Sequence, residues 1–226
     1  MISNKMLTQG KTIKKVTQSG SKRHIDQLVV EKETAIFLNN VFMLSLNHTS
    51  QLEKEMAVGC LIANNKIGFK VDSVSYANHE VHIEANELCL NPIKQAGFMK
   101  PIASNIFQLT AYFQEAAILY KKTAITESAA IGSENNLLFS AEDMDQKTAL
   151  FKVIGAYLIK HQTAMKGKSL LLSSRVTAEL MAVIIRCGFS LVITRTAPTN
   201  QALEIAQAHN VSLVGFARGR KFNWYY

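Results

Sequence analysis

The chain has 226 residues, of which 48% are hydrophobic and 19% are charged. This composition excludes a mainly disordered chain, because disorder requires low hydrophobicity and high charge. No apolar stretch approaches the roughly 20 residues of a membrane helix, so we expect no membrane span. The three cysteines, Cys60, Cys89 and Cys187, lie far apart in the sequence. This pattern favours a reducing compartment over a disulfide framework.

The net charge of +8 is concentrated at the start of the chain. Residues 1–23 hold six lysines and arginines and no acidic residue, which leaves the remainder nearly neutral. We interpret residues 1–24 as a flexible basic arm. An arm that contacts nucleic acid or an acidic partner is a second, less favoured interpretation.

Residues 25–90 read as a small α+β domain. Two hairpins, at residues 29–46 and 69–88, flank a helix that we expect to begin after Ser50. Cys60 and Cys187 lie in apolar helical runs and are predicted to be buried, whereas Cys89 is the thiol that we expect to be exposed. Residues 91–103 hold two of the three prolines and form a linker or a functional loop.

Residues 104–226 read as an α/β domain. A helix over residues 106–122, a hairpin and a helix over 145–162 precede three buried strands that alternate with helices. Because parallel strands joined by helices form right-handed crossovers, we expect a parallel sheet from residues 169–172, 189–194 and 211–216. The order of elements resembles the cytidine-deaminase type of α/β fold. The zinc-binding H-x-E and P-C-x-x-C motifs are missing, so we expect no zinc.

Polar residues follow the predicted parallel strands at their carboxyl ends. Ser173, Ser174 and Arg175 come after the first strand, and Thr199 lies at the start of the helix after the second. Free backbone N–H groups, hydroxyls and a guanidinium at this edge indicate an anion-binding site. If Ser174 and Thr199 only cap their helices, the hydroxyls are explained but Arg175 is not.

The C-terminal segment combines cations with aromatic side chains. A segment of this kind is typical of a site that binds phosphates and stacks on bases, although a solvated basic tail is the simpler interpretation. The candidate binding residues here are Phe216, Ala217, Arg218, Gly219, Arg220 and Lys221.

Several segments together resemble the FdhD family of formate dehydrogenase accessory proteins. The most distinctive are APTNQALEIA and LVGFARGRKFNWY, and FSAEDMDQKTALFKVIG stands where the family has E-D-V-G-R-H-N-A-x-D-K-x-x-G. The resemblance covers nearly the whole chain from about residue 27. It implies a cytoplasmic sulfur carrier that takes a persulfide from a cysteine desulfurase. It also implies a client, a molybdenum-dependent formate dehydrogenase, whose bis(molybdopterin guanine dinucleotide) cofactor binds to residues 216–221.

The chain departs from the family where sulfur is handled. The family's C-G-x-C-G loop reads here Cys89-Leu90-Asn91-Pro92-Ile93, and its histidine after T-G-G reads Glu127. We therefore expect binding of a guanine nucleotide to be retained and sulfurtransferase activity, with Cys89 as the catalytic residue, to be weak or absent. The alternative is a non-catalytic deaminase-like domain that binds a nucleotide or nucleic acid. The sequence leaves the oligomeric state open, a homodimer included.

Overall fold

The computed structural model of the chain describes residues 7–85 and 97–226. The twelve strands of these ranges are β1 (Thr8–Thr17), β2 (Gly20–Val29), β3 (Glu31–Leu38), β4 (Val41–Thr49), β5 (Ser73–Ala77), β6 (Glu80–Glu84), β7 (Glu127–Ser133), β8 (Asn136–Asp143), β9 (Ser169–Leu172), β10 (Leu191–Thr194), β11 (Ser212–Arg218) and β12 (Lys221–Trp224). Their six helices are α1 (Glu53–Ala63), α2 (Ala103–Ala116), α3 (Ile118–Thr123), α4 (Gln146–His161), α5 (Ala178–Cys187) and α6 (Asn200–Ala208).

A mixed six-stranded sheet organises the C-terminal part of the chain. Its strand order is β12-β11-β10-β9-β7-β8. Strands β9, β10 and β11 are parallel, which confirms the predicted parallel sheet, and β7, β8 and β12 run antiparallel to their neighbours. Because β7 runs opposite to β9, the start of β7 lies beside the carboxyl ends of the parallel strands.

Both faces of this sheet are covered, as buried parallel strands require. Helix α2 packs on one face, where Leu109 contacts a cluster that includes Leu171 and Ile193. The other face packs against α1, α4, α5 and α6 in the main hydrophobic core. The carboxyl edge of the parallel strands is therefore flanked by helices on both sides.

A four-stranded sheet, in the order β4-β3-β6-β5, forms the second layer and confirms the two predicted hairpins. Its helix, α1, lies directly against α4. A Cβ atom on Gly155 would lie 1.7 Å from the Glu55 carbonyl oxygen, and one on Gly59 would lie 1.9 Å from that of Phe151. Only glycine permits this approach. The main core consequently runs through residues 36–85 as well as the C-terminal part, across the boundary that we expected between two domains.

The basic N-terminal segment differs from the expectation of a flexible arm. Strands β1 and β2 pair in a continuous antiparallel register from Thr8↔Val29 to Thr17↔Gly20. The alternation of β-branched and long polar residues suits an exposed ribbon, and Gly20 has a φ of 134° at the turn. Residues 8–29 therefore form a hairpin, and the predicted boundary at residue 24 falls inside a strand.

The predicted helix over residues 106–122 is divided into α2 and α3. The break lies at Ala117, where φ is −76° and ψ is 67°. The carboxylate of Glu142, at the end of β8, accepts hydrogen bonds from the backbone N–H groups of Leu119 and Tyr120 at 2.7 Å each. A carboxylate at a helix N-terminus stabilises a new helix start. This tertiary contact explains why one helical pattern gives two helices.

Candidate binding site at the carboxyl edge of the sheet

The carboxyl edge brings together residues next to three strands, β7, β9 and β10. β9 ends at Leu172, β10 ends at Thr194, and Ala129 near the start of β7 is the register partner of Leu172. Ser173 and Glu127 therefore lie at the same edge, and Arg195 follows β10 one strand further along. Ligands of open α/β sheets bind at this edge, because loops and helix N-termini converge there.

Ser173 is occupied by interactions within the protein. Its Oγ donates a hydrogen bond to a carboxylate oxygen of Glu127 and accepts one at 2.8 Å from the backbone N–H of Ser128. Ser174 differs, because its Oγ is buried and has no hydrogen-bond partner among the described residues. A buried hydroxyl without a partner is rare, so Ser174 retains the capacity to bind a polar atom.

Ser174 and Thr199 both follow a strand in the sequence, but only Thr199 caps a helix in the structure. Thr199 is the N-cap of α6, and its side chain accepts a hydrogen bond from Ala202 N at 3.2 Å. Ser174 is not a cap; Thr177 is the N-cap of α5 and accepts from Leu180 N at 3.3 Å. The alternative in which Ser174 only caps its helix is therefore wrong, because the chain makes a parallel bridge, Val176↔Pro198, before α5 begins.

Arg175 is exposed and belongs to none of the ion pairs of the described residues. Its backbone carbonyl accepts a hydrogen bond from Gln146 Nε2 at 2.8 Å, which fixes the loop next to the start of α4. The guanidinium is consequently free to contact a ligand above the edge.

The C-terminal segment forms a hairpin, β11–β12, instead of a solvated tail. The register shifts between Gly215 and Arg218, and Phe216 adopts a left-handed φ of 51° at this bulge. The bulge exposes Phe216 and buries Ala217. Bulges of this kind redirect side chains next to binding sites.

Two arginines meet beside this bulge. Arg218 Nε donates a hydrogen bond to the backbone carbonyl of Arg195 at 2.9 Å. Arg195 and Arg218 line a crevice of about 110 Å³ together with Thr110 and Gln114 of α2. Neither arginine belongs to an ion pair in the part of the chain that the structure describes. Unpaired guanidinium groups in a crevice provide the planar donors that phosphate groups accept.

The other predicted residues of this segment lie further out. Gly219, with a φ of 58°, lines the crevice, whereas Arg220 and Lys221 are exposed at the hairpin turn and at the start of β12. Phe222 packs near Phe107, with ring centroids 5.7 Å apart. The aromatic rings left exposed for stacking are those of Phe216 and Trp224.

Sequence reasoning missed Arg195, although it follows a strand as Arg175 does. It also missed a buried polar network between the two sheets. Lys152 Nζ lies 2.6 Å from Asp143 Oδ2 and donates hydrogen bonds to Thr49 Oγ1 at 2.8 Å and Thr49 O at 3.0 Å. Both charged side chains are almost completely buried. On the predicted amphipathic helix Lys152 lies on the side opposite Leu150 and Ile154, so the local pattern did not indicate its burial.

His48 extends this network. One ring nitrogen, Nδ1, lies 2.7 Å from the Thr49 carbonyl oxygen and therefore carries the proton of the neutral ring, and Nε2 lies 2.8 Å from Thr34 Oγ1. Burial lowers the pKa of His48, and the neighbouring Lys152 ammonium lowers it further. Burial also lowers the pKa of Lys152, an effect that the adjacent Asp143 carboxylate opposes. Every charge in the network is paired, so its role is structural.

Two cysteines are buried, as predicted. Burial raises the pKa of the Cys60 thiol to about 11 and that of Cys187 to about 12. Neither is a nucleophile near neutral pH, because the thiolate is the reactive form. Cys89, the candidate sulfur-carrying residue, lies outside the described residues.

In residues 7–85 and 97–226, no group of three or more His, Cys, Asp or Glu is placed to hold a metal ion. None of the described helices has the length and apolar character needed to cross a membrane.

The cations and the helix N-termini at the carboxyl edge form a candidate anion-binding site on a mixed α/β sheet. The chain belongs to the FdhD/NarQ family, whose model matches residues 81–226. This confirms the resemblance seen in the sequence.

Relatives of known name agree with this assignment. The chain is similar to the sulfur carrier protein FdhD of Shouchella clausii, with 33% identity over 54% of this chain and 46% of that protein. The sulfur carrier protein FdhD of Listeria innocua is 30% identical over 59% of this chain and 51% of that protein. Protein FdhD of Methanocaldococcus jannaschii is 28% identical over 88% of each chain. The alignments with the first two span about half the length of those proteins.

A solved structure shares the fold. The crystal structure of a putative formate dehydrogenase accessory protein from Desulfotalea psychrophila superposes with a TM-score of 0.85. The superposition covers 97% of this chain and 96% of that one, at 17% sequence identity. The two proteins therefore share their fold over nearly their whole length.

Proposed function

We propose that the chain is an accessory protein for a molybdenum-dependent formate dehydrogenase and that it binds the guanine dinucleotide part of the molybdenum cofactor. The observation that carries this proposal is the pair Arg195 and Arg218, which share a crevice at the carboxyl edge without a carboxylate partner among the described residues. The relatives' names as sulfur carriers and the neighbour's title as an accessory protein support the same role.

The chemistry of the edge suits a diphosphate next to a base. Guanidinium groups bind phosphate oxygens in a bidentate geometry, and the N-termini of α5 and α6 add the positive end of a helix dipole. The unpartnered Ser174 hydroxyl supplies a further donor. The exposed ring of Phe216, directly before Ala217 and Arg218, is available for stacking on a base.

Sulfur transfer is the second part of the family's role, and we expect it to be weak here. In such a transfer the Cys89 thiolate would attack the outer sulfur of a desulfurase persulfide, and the desulfurase cysteine would leave as a thiolate. Glu84 and Glu87 lie close to Cys89 in the sequence, and nearby carboxylates disfavour a thiolate. The buried Cys60 and Cys187 offer no replacement. Efficient persulfide loading of the protein, lost in Cys89→Ser, would contradict this expectation.

The finer description of the fold is also a proposal. We infer a cytidine-deaminase type of C-terminal sheet that works without zinc, in a cytoplasmic protein. The chain lacks the two zinc-binding motifs, and Glu127 stands where the family has a histidine. In the structure the Glu127 carboxylate accepts a hydrogen bond from the Ser173 hydroxyl.

Titration of the pure protein with GDP and ADP tests the proposed site. We expect GDP to bind, and we expect Arg195→Ala combined with Arg218→Ala to weaken its affinity at least tenfold, because two charge-assisted contacts to phosphate are lost. Arg23→Ala combined with Lys54→Ala is the control, because it removes two charges from exposed positions that do not line the crevice. Absence of GDP binding at millimolar concentration, or equal binding by the double variant, would refute the proposal.

A further inference from the structure

The β1–β2 hairpin carries an excess of positive charge that nothing in the described structure balances. Residues 8–29 hold five lysines and arginines and one acidic residue, a net charge of +4 out of +8 for the whole chain. The ion pairs found in residues 7–85 and 97–226 involve none of these cations. The carboxylate of Asp26 accepts a hydrogen bond from the adjacent Gln27 N–H.

The register places like charges opposite one another. Lys14 pairs with Arg23 and Lys15 pairs with Lys22. Directly opposed like charges destabilise an antiparallel pair, and an isolated two-stranded ribbon is marginal in water. Because neighbouring pairs alternate between the faces of a ribbon, each face carries one of these cation pairs. The sequence thus lowers the stability of the hairpin in a way that an anionic partner would reverse.

The hairpin is anchored to the body at its base. Val30 N donates to Leu7 O at 2.9 Å, and Lys122 Nζ donates to Thr8 Oγ1 at 3.0 Å. Ten paired residues per strand at about 3.4 Å each give a ribbon roughly 34 Å long. Apart from that base, both faces of the ribbon are open to a partner.

Aliphatic side chains accompany the cations. Val16 is 71% exposed, Ile25 65% and Leu28 49%. The hairpin contains no Phe, Tyr or Trp for stacking on bases. Mixed aliphatic and basic surface fits a protein interface with an apolar centre and a charged rim, whereas a nucleic-acid backbone offers little apolar area. A second copy of the chain would bring a second ribbon of the same charge.

We propose that this hairpin is the docking arm for the client enzyme and that it binds an acidic, partly apolar face of the formate dehydrogenase. This inference rests on the proposed accessory function. The carboxyl-edge crevice would hold the cofactor, and the hairpin would hold the enzyme that receives it. Two separate surfaces on one chain allow cargo and client to be bound at the same time.

The test measures binding of the full-length protein to purified, cofactor-free formate dehydrogenase in 50 mM NaCl. Lys14→Gln combined with Arg23→Gln should weaken binding at least tenfold, and Val16→Ser with Ile25→Ser should also weaken it. The matched control is Lys54→Gln with Lys166→Gln, which removes the same charge from exposed positions outside the hairpin and should change affinity less than twofold. The thermal midpoint of the first variant should stay equal or rise, because a like-charge pair is relieved.

The following outcomes would contradict the proposed docking role of the hairpin. Equal binding by the hairpin variant and the wild type, or no binding of the enzyme by the wild type, excludes the hairpin as the docking arm. Tighter, hairpin-dependent binding to a 20-base-pair DNA duplex would assign it to nucleic acid, and hairpin-dependent self-association would assign it to a second copy. GDP titration of the same preparations reports separately on the proposed nucleotide site, so the two failures are distinguishable.

Discussion

Two groups of charged residues lie beside the same sheet and differ in how they are satisfied. In the buried network, Lys152 contacts the carboxylate of Asp143 and both the hydroxyl and the carbonyl of Thr49. At the carboxyl edge, the Arg195 and Arg218 side chains share a crevice without an acidic partner. Burial of a charged side chain therefore does not by itself indicate a role in function. Pairing separates a group that stabilises the fold from one that is available to a ligand.

The largest expected effect comes from breaking the buried network. Lys152→Met should lower the free energy of unfolding by about 3–5 kcal/mol, because it leaves the Asp143 carboxylate buried and unpaired. Lys147→Met on the same helix is the control. Its ion pair with Glu179 is exposed and should contribute only about 0–1 kcal/mol. Chemical denaturation of both variants measures the difference; similar losses would contradict the structural role of the network.

A smaller effect comes from protonating the network at His48. The folded state lowers the pKa of His48 from its usual 6.5, so the unfolded state binds more protons in acid. Stability contributed by the neutral ring is present above about pH 6.5 and declines as the pH falls towards the folded-state pKa, by at most about 1.4 kcal/mol per pH unit. Denaturation between pH 8 and pH 5 should show this decline, and His48→Gln should reduce it. An unchanged slope in the variant would show that His48 does not titrate on unfolding.

The smallest effect distinguishes two neighbouring hydroxyls at the edge. Ser173→Ala removes hydrogen bonds to Glu127 and Ser128 and should cost about 1–2 kcal/mol. Ser174→Ala removes a buried hydroxyl without a partner and should be neutral or slightly stabilising. Thermal unfolding of the two single variants provides the measurement. If Ser174→Ala is the more destabilising of the two, Ser174 has a structural partner and is not a free binding group.

The sequence predicted the elements that depend on local pattern. The alternation of buried strands and amphipathic helices after residue 169 predicted the parallel sheet, and the pattern of residues 29–46 predicted the first hairpin of the second layer. Position at the carboxyl edge followed from topology alone, which is why Ser173, Ser174, Arg175 and Thr199 could be placed there from the sequence. Their role in binding stays a prediction.

What the sequence could not predict depends on contacts between distant residues. The division between α2 and α3 requires Glu142 to reach two backbone N–H groups 22 and 23 residues earlier in the chain. The burial of Lys152 requires Thr49, 103 residues away. The basic N-terminal segment was misjudged for a different reason: its composition is that of a mobile arm, whereas its strand register depends on a turn and a base anchored by Leu7 and Lys122.

The glycine contact between α1 and α4 has a consequence for synthesis of the chain on the ribosome. Residues 56–63 of α1 are all buried, and their partner, α4, begins only at Gln146. At about 5–20 residues per second, the apolar side of α1 would wait several seconds or more before Gly155 is made. During that interval the apolar residues of α1 lack the helix that covers them in the folded chain. We therefore expect this family member to depend on chaperones early in translation, before α4 can cover α1.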